Sequence, residues 1–361
     1  MGAFPSNMIG LKKVKTGQTP SKDTVWFVLV NFNGLADTLE CLKSLADAGV
    51  PPRQIVVVDN ASSGNDAVEI SAAWPSVHCV CNDTNQGWAG GNNRGIEVAL
   101  REEADWVFLL NNDTVVASDI LEMMQLAIAS GPWDILGPII NEYNAREVIQ
   151  TEGVTFNPHD RGGFFVSCPI ASVADTPLDV IQCDIVNGCA VAISRRVFES
   201  IGLIDERFFL ICEESDFCLR AGKAGFRNGV LAKTLVWHKH SVSFARAGKP
   251  LQRYYGTRNL GLLLRKHPTG PGQKKRVRSQ IEFYRLSYHM YCHERELGNQ
   301  AGARAVIDGL VDNMFRRYGK QRPPWSLVSA PIDKFFGILW RLRGGTVQLS
   351  SVSRVQGTSA T

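Results

Sequence analysis

The stretch that decides the fold runs from Val25 to Gly34 and reads VWFVLVNFNG. Its first six residues are apolar, which predicts a strand buried on both faces, as in a parallel sheet covered by helices. Asn31 and the residues after it are turn formers that end the strand. Apolar residues then recur on one helical stripe from Leu35 to Ala46, so a helix is expected next.

The same alternation continues along the chain. Ile55–Val58 and Trp106–Leu110 predict further buried strands, a short strand is expected near 77–80, and a helix over Gly90–Arg101. Strands that alternate with helices predict an α/β fold with a mainly parallel central sheet. From about 140 to 185 the periodicity is lost, which indicates an irregular insertion with edge strands. We therefore expect a flexible lead at 1–22, a catalytic domain at 23–245, a helical region at 246–345 and a disordered tail at 346–361.

Composition and charge narrow the functional class. The 361 residues are 44% hydrophobic and 20% charged, which excludes a disordered chain and a disulfide-stapled miniprotein. Residues 1–240 hold 18 Lys+Arg and 29 Asp+Glu, a net charge of −11, whereas residues 241–361 hold 21 and 6, a net charge of +15. A basic C-terminal region predicts an anionic surface or ligand, and no nucleic-acid motif accompanies the charge.

The nine cysteines are scattered, with several in strand-like runs (Cys189, Cys212 and Cys218), and no Cys-x-x-Cys occurs. They predict buried, reduced thiols in a cytoplasmic protein. No apolar run approaches the roughly 18–20 residues of a spanning helix.

Polar residues follow three of the predicted strands. Asn31 and Asp59 come directly after an apolar run, and Asp113 follows another after Asn111 and Asn112. In open α/β sheets ligands bind outside the carboxyl ends of the strands. A single Asp at such a place is usually a turn or capping residue, but three in one domain favour a ligand site.

Five blocks of sequence, in order, resemble glycosyltransferase family 2. They read VNFNG at 30–34, VVDNASSG at 57–64, NQGWAGGNNRGI at 85–96, LLNNDT at 109–114 and FFLICEESDFCLR at 208–220. The likeness extends over residues 24–260 and is greatest to the rhamnosyltransferase-like branch of bacterial surface-polysaccharide synthesis. It implies an A-type glycosyltransferase fold, a nucleotide-sugar donor, a divalent metal ion and inversion at the anomeric carbon.

The donor site is expected at the first four blocks. Asp59 suits a hydrogen bond to the base or the ribose, and the glycine-rich stretch 87–95 allows a phosphate or sugar to approach the backbone. A tight strand-to-helix turn is the alternative for these glycines, and the two roles can coexist. The resemblance implies these donor-binding residues: Asn31, Asn33, Asp59, Asn60, Gly87, Gly90, Gly91, Asn92, Asn111 and Asn112.

The triplet Asn111-Asn112-Asp113 stands where the family has an acidic metal motif, with Asn in place of the first carboxylate. Magnesium needs only one or two protein carboxylates beside substrate phosphates, so Asp113 is expected to hold Mg²⁺ or Mn²⁺. The resemblance adds His238, which follows Trp237, as a second ligand. An Asn-rich turn without metal is the alternative reading of the triplet.

Three carboxylates, Glu213, Glu214 and Asp216, fall within four residues. Close like charges raise a pKa, which suits a general base near neutrality. The resemblance assigns the base to Glu214, with Glu213 or Asp216 tuning it or binding acceptor. A solvated acidic turn is the alternative.

These features predict an inverting glycosyltransferase that moves a sugar, rhamnose being the first expectation, from a UDP- or dTDP-sugar. The expected acceptor is a saccharide, free or carried on polyprenyl diphosphate, in cell-surface polysaccharide synthesis. The alternative is a non-catalytic nucleotide- or glycan-binding protein on the same fold. An amphipathic helix expected at 332–343 suits peripheral binding to the inner face of the cell membrane, or packing on the transferase domain or a second subunit.

Overall fold

A computed structural model describes residues 11–12, 23–156, 165–170, 174, 176, 179–239, 249–268, 275–324 and 326–342. The chain divides into two compact units. The first, here called the sheet unit, comprises Met1–Phe156, Phe165–Ile204 and Phe217–Val242, and the second, the helical unit, comprises Asn157–Phe164, Asp205–Asp216 and Ser243–Thr361. The domain boundaries expected near residues 22, 245 and 345 stay predictions.

The strands all belong to the sheet unit. They are β1 (Leu11–Lys12), β2 (Val25–Asn31), β3 (Ile55–Asp59), β4 (His78–Cys81), β5 (Trp106–Leu110), β6 (Thr114–Val116), β7 (Ile135–Glu142), β8 (Ile149–Thr151), β9 (Gly153–Phe156), β10 (Phe165–Cys168), β11 (Val180–Gln182), β12 (Ala190–Ser194) and β13 (Asn228–His238).

One mixed sheet has the order β1-β11-β13-β7-β12-β5-β2-β3-β4, with β6 paired to β13 and β8 to β7. Strands β5, β2, β3 and β4 run parallel, as do β13 and β7, whereas β12 runs antiparallel between them. The expectation of an α/β fold with parallel strands at its centre is confirmed, and the predicted runs coincide with β2, β3 and β5.

Ten helices are described. They are α1 (Leu35–Asp47), α2 (Asp66–Ala73), α3 (Gly87–Arg101), α4 (Ile120–Ala129), α5 (Arg195–Ile201), α6 (Glu213–Lys223), α7 (Lys249–Lys266), α8 (Lys275–Glu296), α9 (Gln300–Met314) and α10 (Ser326–Leu342). The division between the units falls within α6, after Asp216. The mostly helical character expected after residue 245 is confirmed for the described ranges. None of the helices within them is both long and apolar enough to cross a membrane.

One local expectation was wrong. Cys189, Cys212 and Cys218 do not lie in strands: Cys189 is the turn residue before β12, Cys212 comes directly before α6, and Cys218 lies within α6. The structure also adds β7, an inner strand that the sequence analysis did not identify, since Gly137 and Pro138 interrupt its apolar pattern. Most of the thiols are buried, as expected: Cys41, Cys183, Cys189, Cys212, Cys218 and Cys292.

Close packing of α3 on the sheet explains part of its glycine content. A Cβ on Gly95 would lie 2.3 Å from Val28 Cγ1, and one on Gly91 would lie 2.8 Å from Val30 Cγ1. Real side chains do not tolerate such distances, so α3 reaches β2 only because glycine stands at both positions. This approach holds the start of α3 beside the carboxyl ends of the parallel strands.

In the helical unit one face of α10 packs on α8. The ring of Phe336 meets Tyr288 edge-on at 5.2 Å between centroids and Tyr291 at 5.5 Å. Tyr291 also donates a hydrogen bond to Asp333 Oδ1 at 2.9 Å. The helix expected at 332–343 therefore exists, begins earlier than predicted, and buries part of its apolar surface within its own unit.

Candidate active site

Asn31 lies at the centre of a polar network where β2 ends. Its side chain has no exposed surface. Its amide group donates hydrogen bonds to Asp59 Oδ1 at 2.9 Å and Asp66 Oδ2 at 2.9 Å, and its Oδ1 accepts one from Thr38 at 2.8 Å. Because every polar atom of this amide is used inside the protein, Asn31 is suited to fix Asp59 rather than to touch a ligand.

Asp59 is also held by its own turn. Ser62 donates to it from the backbone at 3.1 Å and from the hydroxyl at 2.5 Å. Asn33, a partly exposed residue with φ of 53°, accepts bonds from the Ser63 amide and hydroxyl at 2.8 and 2.9 Å. Asp59 therefore supports its own turn, as the first interpretation expects. It also lies at the strand end where ligands bind in such sheets, as the second interpretation expects.

Asn60 fixes the start of the glycine-rich stretch through hydrogen bonds to its backbone. Its amide donates to the Gly87 carbonyl at 3.0 Å and its Oδ1 accepts from the Gln86 amide at 3.0 Å. Gly87 has φ of 72°, a left-handed conformation that glycine adopts without strain. Further along α3, Gly90 and Asn92 are buried, and Asn92 donates to the Trp88 carbonyl at 2.9 Å.

Two partly exposed amides follow β5. Asn111 accepts a hydrogen bond from the Trp88 indole at 2.9 Å, and Asn112 donates to the Thr38 hydroxyl at 2.8 Å. The structure thus brings the residues predicted from blocks one to four to the same edge of the sheet. Their contact with a donor stays a prediction. Sequence reasoning missed Asp66 and Thr38, which nothing in the local pattern distinguishes from ordinary helix residues.

Asp113 and His238 face each other across the pairing of β6 with β13. The register places His238 opposite Thr114, and His238 Nε2 lies 3.1 Å from Asp113 Oδ1. Both side chains are about nine-tenths buried. The other imidazole nitrogen, Nδ1, lies 3.0 Å from Gln150 Oε1, which fixes the ring orientation.

Burial disfavours a charged imidazole here, but Cys189 and the Asp113 carboxylate outweigh it and raise the pKa of His238. A metal ion at this pair would compete with that proton, since a ligating histidine must be neutral. One carboxylate and one imidazole fit Mg²⁺ or Mn²⁺, with diphosphate oxygens and water completing the shell. The described residues contain no group of three acidic, His or Cys side chains arranged to hold a metal ion.

Glu213 and Glu214 begin α6. Glu213 is only 5% exposed, and burial together with the neighbouring Glu214 charge raises its pKa to about 8. Burial also raises the pKa of Glu214, which is partly exposed and accepts a hydrogen bond from the Ser215 hydroxyl at 3.1 Å. This pair differs from a solvated acidic turn, because its environment makes ionisation costly and so favours proton uptake near neutrality.

Asp216, the third acid, is fully buried and ion-paired. Lys266 Nζ lies 2.7 Å from one of its oxygens and His267 Nε2 lies 2.8 Å from the other. Lys266 also reaches Asp205. Asp216 is therefore engaged on both oxygens by partners within the helical unit, whereas Glu214 is partly exposed.

The mixed sheet, with parallel strands at its centre and polar residues at their carboxyl ends, is the arrangement of an A-type glycosyltransferase fold. Residues 26–202 match the model of glycosyl transferase family 2. This part of the chain belongs to that family, and the protein is a glycosyltransferase.

Two relatives of known activity, both glycosyltransferases, are similar to this chain in sequence. The chain is 27% identical over 241 residues to the low-salt glycan biosynthesis hexosyltransferase Agl10 of Haloferax volcanii, covering 66% of this chain and 74% of that protein. It is 22% identical over 260 residues to the dTDP-rhamnosyl transferase RfbF of Shigella flexneri, covering 67% and 80%.

Solved structures agree on the fold. S. aureus TarS 1-349 in complex with UDP-GlcNAc superposes with a TM-score of 0.51 at 17% identity, covering 80% of this chain and 81% of that one. GalNAc-T7 with UDP, GalNAc and Mn²⁺ gives 0.50 at 15% identity, covering 60% of this chain and 43% of that one. The chain therefore spans less than half of the GalNAc-T7 structure.

Proposed function

We propose that the protein is a metal-dependent, inverting glycosyltransferase that moves a sugar from a dTDP- or UDP-sugar to a saccharide acceptor. The observation that carries the proposal is the buried Asp113–His238 pair, with 3.1 Å between carboxylate and imidazole, at the end of the central strands. Asp113 and His238 would hold Mg²⁺ or Mn²⁺, which when bound supplies positive charge to the departing diphosphate.

The chain's own groups account for the remaining steps. Asp59, fixed by Asn31 and Ser62, would bind the nucleoside. Glu214 would take the proton from the acceptor hydroxyl while that oxygen forms a bond to the anomeric carbon. The bond from this carbon to the diphosphate breaks on the opposite face, so the configuration inverts. Removal of a general base of this kind typically costs about 10²–10⁴ in rate.

Rhamnose is the first candidate sugar and dTDP-rhamnose the first candidate donor. The support is the likeness to a dTDP-rhamnosyl transferase. A UDP-sugar is the second candidate, supported by the complex of TarS with UDP-GlcNAc.

The test is a screen of nucleotide sugars for release of nucleoside diphosphate, with Mn²⁺, Mg²⁺ or EDTA. We expect turnover of dTDP-rhamnose or a UDP-sugar that EDTA abolishes, and calorimetric binding of dTDP or UDP that is tighter than that of GDP. Asp113→Ala should lose turnover while keeping its thermal unfolding temperature. Full activity of that variant, or of the wild type in EDTA, would refute the metal role. Nucleotide binding with no turnover of any sugar would favour the non-catalytic alternative.

A polyprenyl-diphosphate-linked acceptor at the inner face of the cell membrane is the second part of the proposal. It is supported by an apolar stripe that α10 leaves uncovered: Leu327, Phe335, Ile338 and Leu342 are exposed. Lys334 and Arg341 flank this stripe on the helical wheel, and apolar residues beside basic ones are typical of helices that lie on anionic lipid.

Co-sedimentation with vesicles of phosphatidylglycerol and phosphatidylcholine tests this part. We expect binding at low salt that weakens at high salt, and loss of binding in a Leu327→Asn, Phe335→Asn, Ile338→Asn triple variant. The control is Val68→Asn, which removes an exposed apolar residue (69% exposed) from the sheet unit. No vesicle binding at low salt, together with full activity on a lipid-free acceptor, would contradict the membrane role.

A further inference from the structure

The turn before the acidic pair has an unusual backbone. Phe209, Ile211 and Cys212 have φ of 66°, 70° and 72°. L-residues with bulky or β-branched side chains rarely adopt this left-handed region, and no glycine or asparagine is present to relieve it. A turn of this kind persists only where the surrounding structure holds it, and such strain is concentrated at functional sites.

Two adjacent residues of α7, Arg258 and Asn259, hold this turn in place by hydrogen bonds. The Asn259 amide group lies 2.8 Å from the Phe208 carbonyl oxygen, 2.5 Å from that of Leu210 and 2.8 Å from that of Ile211. Arg258 donates to the Phe208 carbonyl at 2.8 Å and, from Nε, to Asn259 Oδ1 at 2.9 Å. The two side chains thus bind the carbonyls of one short turn from a single helix.

Both side chains are completely buried, although Arg is almost never buried without partners. The Arg258 guanidinium lies over the rings of Tyr254, Tyr255 and Tyr318, at 4.8 to 5.9 Å from their centroids. Tyr255 in turn stacks on Phe209 at 5.4 Å. Rings and carbonyls together fix Arg258 and Asn259, so they form a rigid support for the turn.

The turn leads directly into the acids. The Asp216 amide donates to the Cys212 carbonyl at 3.0 Å, so α6 begins where the left-handed residues end. A change in the conformation of residues 209–212 would therefore redirect the first turn of α6, on which Glu213 and Glu214 lie.

We propose that Arg258 and Asn259 are positioning residues that hold the 208–212 turn in the conformation that orients the Glu213–Glu214 pair. The proposal rests on the proposed role of Glu214 as the base. It assigns no contact with substrate to Arg258 or Asn259. Their effect on turnover passes entirely through the acidic pair.

The test is a double-mutant cycle on dTDP release from dTDP-rhamnose with Mn²⁺. Asn259→Asp keeps the size of the side chain but removes the N–H donors. We expect kcat to fall at least tenfold with the KM for the donor changed less than twofold. In a Glu214→Gln background the same substitution should change kcat less than twofold, because a residue that acts through Glu214 has nothing left to position.

The matched control is Tyr291→Phe, which removes the partly buried hydrogen bond to Asp333 from the same helical unit but has no described contact with the turn. It should leave kcat unchanged. An equal loss in the control, an unchanged kcat in Asn259→Asp, or an undiminished effect in the Glu214→Gln background would each overturn the proposal. If Asn259→Asp does not fold, Arg258→Lys, which loses the planar set of donors, takes its place in the cycle.

Hydrogen exchange gives a readout that does not depend on the donor. Asn259→Asp should speed amide exchange in residues 208–216 at least tenfold, and Tyr291→Phe should not. Unchanged exchange there would overturn the positioning role. Absence of wild-type turnover with exchange behaving as expected would instead refute the proposed donor.

Discussion

Buried Glu213 should keep its proton in the folded protein at a pH at which an ordinary glutamate is ionised. Its pKa of about 8, against an ordinary value of 4.5, means that the folded protein binds this proton over a pH range in which the unfolded chain has lost it. Unfolding free energy therefore falls by about 1.4 kcal/mol per pH unit as pH rises through this range. Between pH 5 and pH 7 this single carboxyl should lower the unfolding free energy of the wild type by about 2–3 kcal/mol.

Glu213→Gln removes that proton equilibrium at nearly constant volume. The difference in unfolding free energy, variant minus wild type, should therefore grow by about 2–3 kcal/mol from pH 5 to pH 7. Urea unfolding followed by circular dichroism at pH 5, 6 and 7 measures it. Glu282→Gln makes the same change on a more exposed glutamate of the same unit, one that pairs with Arg285, and serves as the control. Parallel pH dependences for Glu213→Gln and the wild type would refute the reasoning, because they would mean that the buried carboxyl carries no proton at neutral pH.

Three further substitutions probe other parts of the molecule. Asn31→Asp replaces a buried donor by a third carboxylate beside Asp59 and Asp66. It should lower the unfolding free energy by at least about 2 kcal/mol at pH 7, and by less at pH 4. It should also weaken dTDP binding in calorimetry, and wild-type affinity would contradict the assigned network. Gly95→Ala should cost about 1–3 kcal/mol in urea unfolding, because its Cβ would meet Val28, and an unchanged midpoint would show that α3 can move away. Lys266→Met should cost about 3–5 kcal/mol in urea unfolding at pH 7, because it leaves the buried Asp216 carboxylate without its ammonium partner, and an unchanged midpoint would contradict this ion pair.

Much of the fold could be predicted from the sequence because the parallel strands are continuous apolar runs. β2, β3 and β5 are buried on both faces, and their short length, their β-branched and aromatic residues and the turn residues after them favour a buried strand over a buried helix. β7 could not be predicted because Gly137 and Pro138 interrupt its local pattern. Pairing with β13 and β12 stabilises this strand instead.

The candidate site was predictable in position but not in detail. The strand ends revealed Asn31, Asp59 and Asp113, but the burial of Asn31 depends on Asp66 in α2, 35 residues away along the chain. The turn before Glu213 could not be predicted at all. Its left-handed residues are Phe209, Ile211 and Cys212, which have no local reason to adopt that conformation, and Asn259, which binds its carbonyls, lies about fifty residues later.

Turnover of Glu214→Gln tests the central claim most directly. The variant keeps the shape of the side chain but cannot accept a proton, and Glu213→Gln and Asp216→Asn are its matched controls in the same cluster. Rates of dTDP release from dTDP-rhamnose with Mn²⁺ are compared with calorimetric binding of dTDP. The account predicts a loss of about 10²–10⁴ in kcat for Glu214→Gln with nucleotide binding retained. Wild-type turnover in Glu214→Gln, with loss in Glu213→Gln or Asp216→Asn, would contradict it.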